Sequence, residues 1–408
     1  MKKISTLLLI VFILAFNGFG QQKKVVRFDQ PETKLVEKIK KGNYDIAAYV
    51  PGKYLDVVVS KQEYEALLNK GHNPNITQTE EQMSENLKGT KDIEGYRTYE
   101  ELLTELQQLE SDHPTLCKLF DVGDTRGKEY SENGITNYDD YNHEVWALKL
   151  SDNVSQEEDE PCVYYMGAHH AREPISVEVS MHTLNYLVDN YGTDDEVTNW
   201  VDNTQIWFIP LVNPNGHKIV IDQDDLWWRK NIRDNNENQE IDPGSYAYPD
   251  GVDPNRNYGF EWGTVGASDY PEDQTYHGPE PFSEPEVDAM RQMMEDHHFV
   301  AGISYHSYSE LVLYPFGYNE GIYAPDHDAI SALGDAMAAT IPSLNGGYYT
   351  PGNSWSLYPC MGNTDDYAYG KHGIFAYTIE LATEFIPPAS QVPVICQDNL
   401  EAALMVLD

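Results

Sequence analysis

Apolar residues recur along this chain in two rhythms, and the changes of rhythm mark its parts. Near the N-terminus Val25 to Phe28 reads as a strand, Lys34 to Lys41 as a helix, Tyr54 to Ser60 (YLDVVVS) as a strand and Lys61 to Lys70 as a second helix. Together they predict a small α+β unit, βαβ-like in order, over 21–75. From 76 to 95 the chain turns polar, with Asn, Thr, Gln, Glu and Gly and little apolar periodicity, which predicts a linker. Helical spacing resumes at Tyr99 to Leu109, where Leu102, Leu103, Leu106 and Leu109 share one side.

Beyond that point strands and helices alternate. Strands are predicted at Val145–Leu150, Val163–Met166, Ile206–Ile209, Phe299–Tyr305 and Ile374–Leu381. A helix follows the second of them, with Val177, Met181, Leu184 and Val188 at helical spacing. Such alternation predicts an α/β sheet domain, here over 96–408.

Composition narrows the picture. Forty per cent apolar residues and 29 Tyr suffice for a sizeable core, so the chain is not mainly disordered. Lys2-Lys3, the apolar run Ile4 to Phe16 and the small residues near Gly20 have the layout of a signal peptide over 1–20, which predicts a secreted or periplasmic protein. That run is shorter than the ~20 residues a bilayer requires, so stable membrane insertion is not expected. A net charge of −40 argues against nucleic acid, whose phosphates need clustered cations. Cys117, Cys162, Cys360 and Cys396 could form disulfides in an exported chain, with three pairings open.

The candidate chemistry begins at His170-Ala171-Arg172-Glu173. A histidine and a carboxylate three apart can share one cation, since neutral imidazole and carboxylate both ligate Zn²⁺. The spacing alone decides nothing: 67 acids and thirteen His among 408 residues give about two chance matches, and two occur, the second at His277 and Glu280. Position separates them. Ligands in α/β sheets gather beyond the C-terminal ends of strands. His170 follows a predicted strand, and so do His306 and Glu380, which close theirs. His277 lies in a loop rich in Pro and Gly.

The segments GAHHARE, WWRKN, GVDPNRNYGF, YHGPEPFSEPE, SYHSYSELVLYPFGY and AYTIEL follow one another as in the carboxypeptidase A/B family of zinc peptidases. From about Tyr96 to the end the chain resembles that family. The resemblance implies a mixed, mostly parallel twisted sheet flanked by helices. It implies one catalytic Zn²⁺ on His170, Glu173 and His306, with Asp253 orienting a ligand histidine. Glu380 matches the general base and Arg229 the group that steadies the oxyanion. Arg172, Asn255, Arg256 and Tyr358 match substrate contacts, Asn255 and Arg256 forming the clamp for a C-terminal carboxylate.

Asp365 aligns with the floor of the side-chain pocket, where an acid implies a preference for C-terminal Lys or Arg. A shift of one residue would put Asp366 there instead. The leading unit resembles the segments that precede many such enzymes, either removed by a cut near Lys88 or Lys91 or kept as an accessory domain. The expected partners are peptide and protein C-termini. Two other functions fit the same residues: a peptidoglycan stem-peptide amidase, and a non-catalytic module that binds C-terminal peptides. The many acids leave room for a structural Ca²⁺ without pointing to one, and oligomeric state is not legible.

Overall fold

The computed structural model describes residues 23–40, 44–89, 95–156, 158–242 and 249–408. The expected signal peptide lies outside them.

The first unit contains β1 (Lys24–Asp29), α1 (Thr33–Lys40), β2 (Asp45–Val50), β3 (Tyr54–Val59), α2 (Lys61–Asn69), β4 (Asn75–Thr79) and α3 (Glu80–Asn86). Its strands form an antiparallel sheet in the order β2-β3-β1-β4. Alternation along β1 and β3 gives that sheet two apolar faces. Val26, Phe28, Leu55, Val57 and Val59 pack on Val36, Ile39 and Leu67 of the unit's own helices. Val25, Ala48 and Val58 turn the other way and join the large core of the rest of the chain.

Two expectations change here. The unit runs βαββαβα rather than βαβ, because Asp45–Val50 is a strand. The polar stretch expected as a linker over 76–95 also holds most of β4 and all of α3. Its polar residues misled because they are satisfied by structure. Thr79 and Gln82 form a reciprocal cap at the start of α3. Gln78 donates to the Ile386 carbonyl at 3.3 Å and accepts from the Phe385 amide at 3.3 Å, which ties β4 to the second unit. Lys88 lies just past α3, and Lys91 lies outside the described residues.

The second unit contains α4 (Tyr99–Asp112), β5 (Cys117–Asp124), α5 (Arg126–Glu132), β6 (Glu144–Leu150), β7 (Cys162–Met166), α6 (Ile175–Asn190), α7 (Asp195–Val201), β8 (Gln205–Ile209) and α8 (Pro214–Ile221). It continues with α9 (Pro285–Asp296), β9 (Phe299–Ser307), β10 (Leu311–Tyr314), α10 (His327–Thr340), β11 (Thr350–Asn353), α11 (Thr364–His372), β12 (Phe375–Leu381) and α12 (Val392–Leu404). The sheet order is β11-β10-β12-β9-β7-β8-β6-β5. Its centre, β12-β9-β7-β8, is parallel, while β6 and β5 run antiparallel at one margin and β10 is antiparallel to β12 near the other.

Every residue of β7 and β8 is buried, as expected for strands covered on both faces. The sheet is therefore mixed and flanked by helices, as the sequence implied. No disulfide joins Cys117, Cys162, Cys360 or Cys396. Cys117 opens β5 and Cys162 opens β7, with β6 and β8 between them. At ~4.8 Å per strand that gap is roughly 14 Å, well beyond disulfide reach. Among the described residues no helix is long and apolar enough to cross a membrane.

Candidate active site

The parallel centre of the large sheet brings the candidate residues together. In the register of β9 and β12, His306 lies opposite Glu380. Neighbouring β7 ends at Met166, and four residues later His170 stands in the turn that leads into α6. Glu173 caps that turn, its amide bonded to the His170 carbonyl at 3.2 Å. Three strand ends thus converge, as ligands do in sheets of this type.

Four donor atoms face one another there. His170 Nδ1 lies 2.8 Å from Glu173 Oε1, His306 Nδ1 lies 2.9 Å from Glu173 Oε2, and the two Nδ1 atoms are 3.1 Å apart. All three residues are buried, and together they form a group able to hold a metal ion. Two imidazoles and a carboxylate with room for a water suit a hydrolytic Zn²⁺. The far side of His170 is fixed as well: Nε2 meets Asp253 Oδ1 at 3.1 Å, an arrangement that sets tautomer and basicity. Burial would raise the Asp253 carboxyl, but Arg229, His170 and Arg256 hold it well below the usual range. Burial lowers His170, helped by the charge of Arg229, which favours the neutral ligand form.

Around this centre stand the other charges. Arg229 grips Asp253 Oδ2 through Nε at 2.9 Å, and its Nη1 reaches 3.9 Å from Glu173. Burial pushes the Glu380 carboxyl up to about 8, and Glu173 adds to this while His306 and Arg229 oppose it. A carboxyl poised near neutrality can both accept and return a proton. One cleft takes in His170, Glu173, Arg229, Asn255, Arg256, Tyr358, Asp365 and Glu380. Asn255 is held by Thr364, whose amide and hydroxyl both donate to Asn255 Oδ1 at 2.9 Å. Arg256 is anchored on the Gly266 and Asn255 carbonyls, and its Nη2 lies 3.4 Å from the Tyr358 hydroxyl. Gly362 passes so close that a Cβ there would fall 2.2 Å from the Arg256 carbonyl, at a φ of +72°, so only glycine fits.

The family model for zinc carboxypeptidases matches residues 102–402. The chain is 35% identical over 314 residues to a zinc carboxypeptidase of Saccharothrix mutabilis subsp. capreolus, covering 72% of this chain and 64% of that one. It is 31% identical over 323 residues to carboxypeptidase B of Astacus astacus, covering 77% and 97%. The chain belongs to the zinc carboxypeptidase family. It is a metallocarboxypeptidase, a zinc-dependent hydrolase. Its fold superposes on carboxypeptidase A of Helicoverpa armigera with a TM-score of 0.79 at 22% identity, over 95% of this chain and 97% of that one.

Within this zinc carboxypeptidase one expected residue behaves differently from the rest. Arg172, expected to meet substrate, is buried and paired with Asp45 of the N-terminal unit, Nη1 and Nη2 lying 2.6 and 2.8 Å from its carboxylate. Its guanidinium also lies 4.3 Å from the centre of the Phe385 ring. Ile46 and Ala47, next to Asp45, line the active cleft. Nothing in the polar pattern of 21–75 singled out Asp45, because its partner lies in a distant unit.

The choice between Asp365 and Asp366 becomes geometric. Asp365 lines the cleft and accepts from Ser354 Oγ at 2.6 Å and Thr378 Oγ1 at 3.1 Å. Asp366 turns away, accepting the amides of Gly317 and Tyr318 at 2.7 and 2.8 Å. Burial raises both carboxyls, and the charge of Asp365 raises Asp366 further. His169, the neighbour of His170, points away from the four donor atoms: its Nε2 faces Tyr258 Oη at 2.9 Å.

Proposed function

We propose that this chain is a secreted exopeptidase that releases single residues, preferentially Lys or Arg, from peptide and protein C-termini. The observation that carries the reading is the cleft itself. It joins a two-His, one-Glu donor set to the buried carboxyl of Glu380, and sets both beside a cationic amide clamp. Such a clamp suits a free carboxylate, for which the guanidinium fork is shaped.

In this reading His170, Glu173 and His306 would hold Zn²⁺, which would supply Lewis acidity for peptide hydrolysis. Asn255 and Arg256 bind the terminal carboxylate and set the last peptide bond before Glu380. Glu380 takes the proton of the attacking water and returns it to the leaving amine. Arg229, locked to Asp253, turns Nη1 toward the developing oxyanion without needing to reorganise. A cationic side chain reaching Asp365 would pair with a carboxylate already held by two hydroxyls. The N-terminal unit serves as a removable plug. Its Asp45 occupies Arg172, and the cut would fall in 88–95, between the fastened Asn86 and the buried Tyr96.

The test is release of C-terminal Lys, Arg, Leu and Phe from otherwise identical peptides, before and after limited proteolysis. The expected result is a zinc-dependent activity that favours Lys and Arg. Glu380→Gln should keep zinc and lose ~10²–10⁴ in kcat. Retained turnover in that variant refutes the base assignment, and a clear preference for Leu or Phe refutes the role of Asp365.

A further inference from the structure

His306 turns Nδ1 toward the other metal donors, so its proton sits on Nε2 whenever it acts as a ligand. That proton needs an acceptor inside a buried site. Ser304 Oγ lies 3.3 Å from Nε2, on the same strand. Asn255 Nδ2 approaches to 3.4 Å but is itself a donor, because Asn255 Oδ1 is taken by the amide and hydroxyl of Thr364. The bond therefore runs from His306 to Ser304.

The rest follows by elimination. Ser304, having accepted, has its hydroxyl hydrogen left to give, and His169 Nδ1 lies 3.3 Å away. His169 then carries its own proton on Nε2, which faces Thr364 Oγ1 at 3.2 Å and Tyr258 Oη at 2.9 Å. Thr364 passes its hydroxyl hydrogen on to Asn255 Oδ1. Every hydrogen in the series points the same way, from the metal ligand toward the clamp. All five residues are buried, and the rings of His169 and His306 lie nearly parallel, 5.5 Å between centroids.

We propose that His169 is a positioning residue that couples the metal ligand His306, through Ser304, to the clamp amide of Asn255, through Thr364. This rests on the reading of His306 as a ligand and Asn255 as the clamp. One arm of His169 holds the ligand imidazole in its tautomer. The other keeps Asn255 Oδ1 turned away, so that Nδ2 faces the incoming carboxylate. A neighbour of a ligand that touches neither metal nor substrate thus sets both.

The two arms separate by substitution. His169→Asn keeps an acceptor near the position of Nδ1, and His169→Gln keeps a donor near that of Nε2. Zinc affinity, by chelator competition on the full chain, reads the first arm. KM for a peptide substrate, after limited proteolysis, reads the second. His169→Asn is expected to hold zinc like the wild type and to raise KM several-fold. His169→Gln is expected to lose ~10–100-fold in zinc affinity while keeping KM within about threefold. Ser304→Ala should repeat the zinc loss and Thr364→Val the KM rise, so the question survives a variant that fails to fold. Equal losses of both quantities in the Asn and Gln variants, or no loss in any variant, overturn the coupling. A wild-type chain that binds no zinc would instead overturn the proposed function.

Discussion

The N-terminal unit sends several polar side chains across to the rest of the chain, whereas the large unit, Arg172 apart, pairs its buried charges within itself. In the first unit Asp45 meets Arg172, Asp56 accepts from Tyr308 Oη at 2.7 Å, and Gln78 reaches Phe385 and Ile386. In the second, His170, Glu173, Asp253 and Arg229 satisfy one another, as do Arg126, Asn231, Arg233, Glu284 and Glu286. Two apolar surfaces also meet between the units: Val50 packs with Leu311, Leu313 and Leu357 beside the cleft. The difference teaches which unit depends on which. The large unit has its site assembled without help, and the small one covers it.

The strongest way to break this contrast is to separate the units. Cutting the chain within 88–95 and removing the small unit should raise kcat/KM by at least about tenfold, because Ile46 and Ala47 then vacate the cleft and Asp45 releases Arg172. Asp45→Asn should move the uncut chain in the same direction. It leaves Arg172 buried without its partner, a loss of about 3–5 kcal/mol that the attached state alone bears. Peptide hydrolysis by the uncut, cut and Asp45→Asn chains measures it. Equal activity in all three would make the small unit a permanent accessory domain.

A smaller effect is expected at Asp56. Its carboxylate is held by Arg27 at 2.8 and 2.7 Å and by the Tyr308 hydroxyl at 2.7 Å, and burial still leaves it raised above the usual range. Tyr308→Phe removes one of those bonds and leaves the ion pair. Affinity of the cut unit for the large one should fall by about 1 kcal/mol, or roughly fivefold, in a titration of the separated parts. A loss of a hundredfold would mean that the hydroxyl does more than cap Asp56.

Much of the large unit was legible from its sequence. Its strands are continuous apolar runs closed by a His or a Glu, a pattern strong enough to place His306 and Glu380 at strand ends before any contact was known. What was not legible depended on distant partners. β4 and α3 looked like linker because Gln78 and Asn86 find their bonds on Glu384 and Ile386, some 300 positions away. Arg172 matched a substrate contact, and only the fold shows Asp45 seated on it. The family motif puts the ligand directly before Ala-Arg-Glu, at His170, and gives the adjacent His169 no role. Asp365 and Asp366 could not be told apart by spacing, since what separates them is that one meets two hydroxyls and the other two backbone amides.

A variant remote from the cleft tests whether the buried charges of the large unit are as self-contained as they look. Glu286 is fully buried, accepting the Arg126 amide at 2.9 Å and sharing Asn231 with Glu284. Burial, and then the charge of Glu284, push its carboxyl up to about 7 from an ordinary 4.5. Between those two values the unfolded chain releases a proton that the folded chain keeps. This contribution to stability is therefore full below pH 4.5 and is lost as pH rises toward 7. Glu286→Gln removes the titration, so the variant should gain on the wild type between pH 5 and 8, by at most about 3 kcal/mol. Thermal unfolding of both proteins across that range reads the gain as a Tm difference that widens with pH. Parallel curves would place the proton elsewhere, and a change in affinity for the cut small unit would show that this cluster is not confined to the interior.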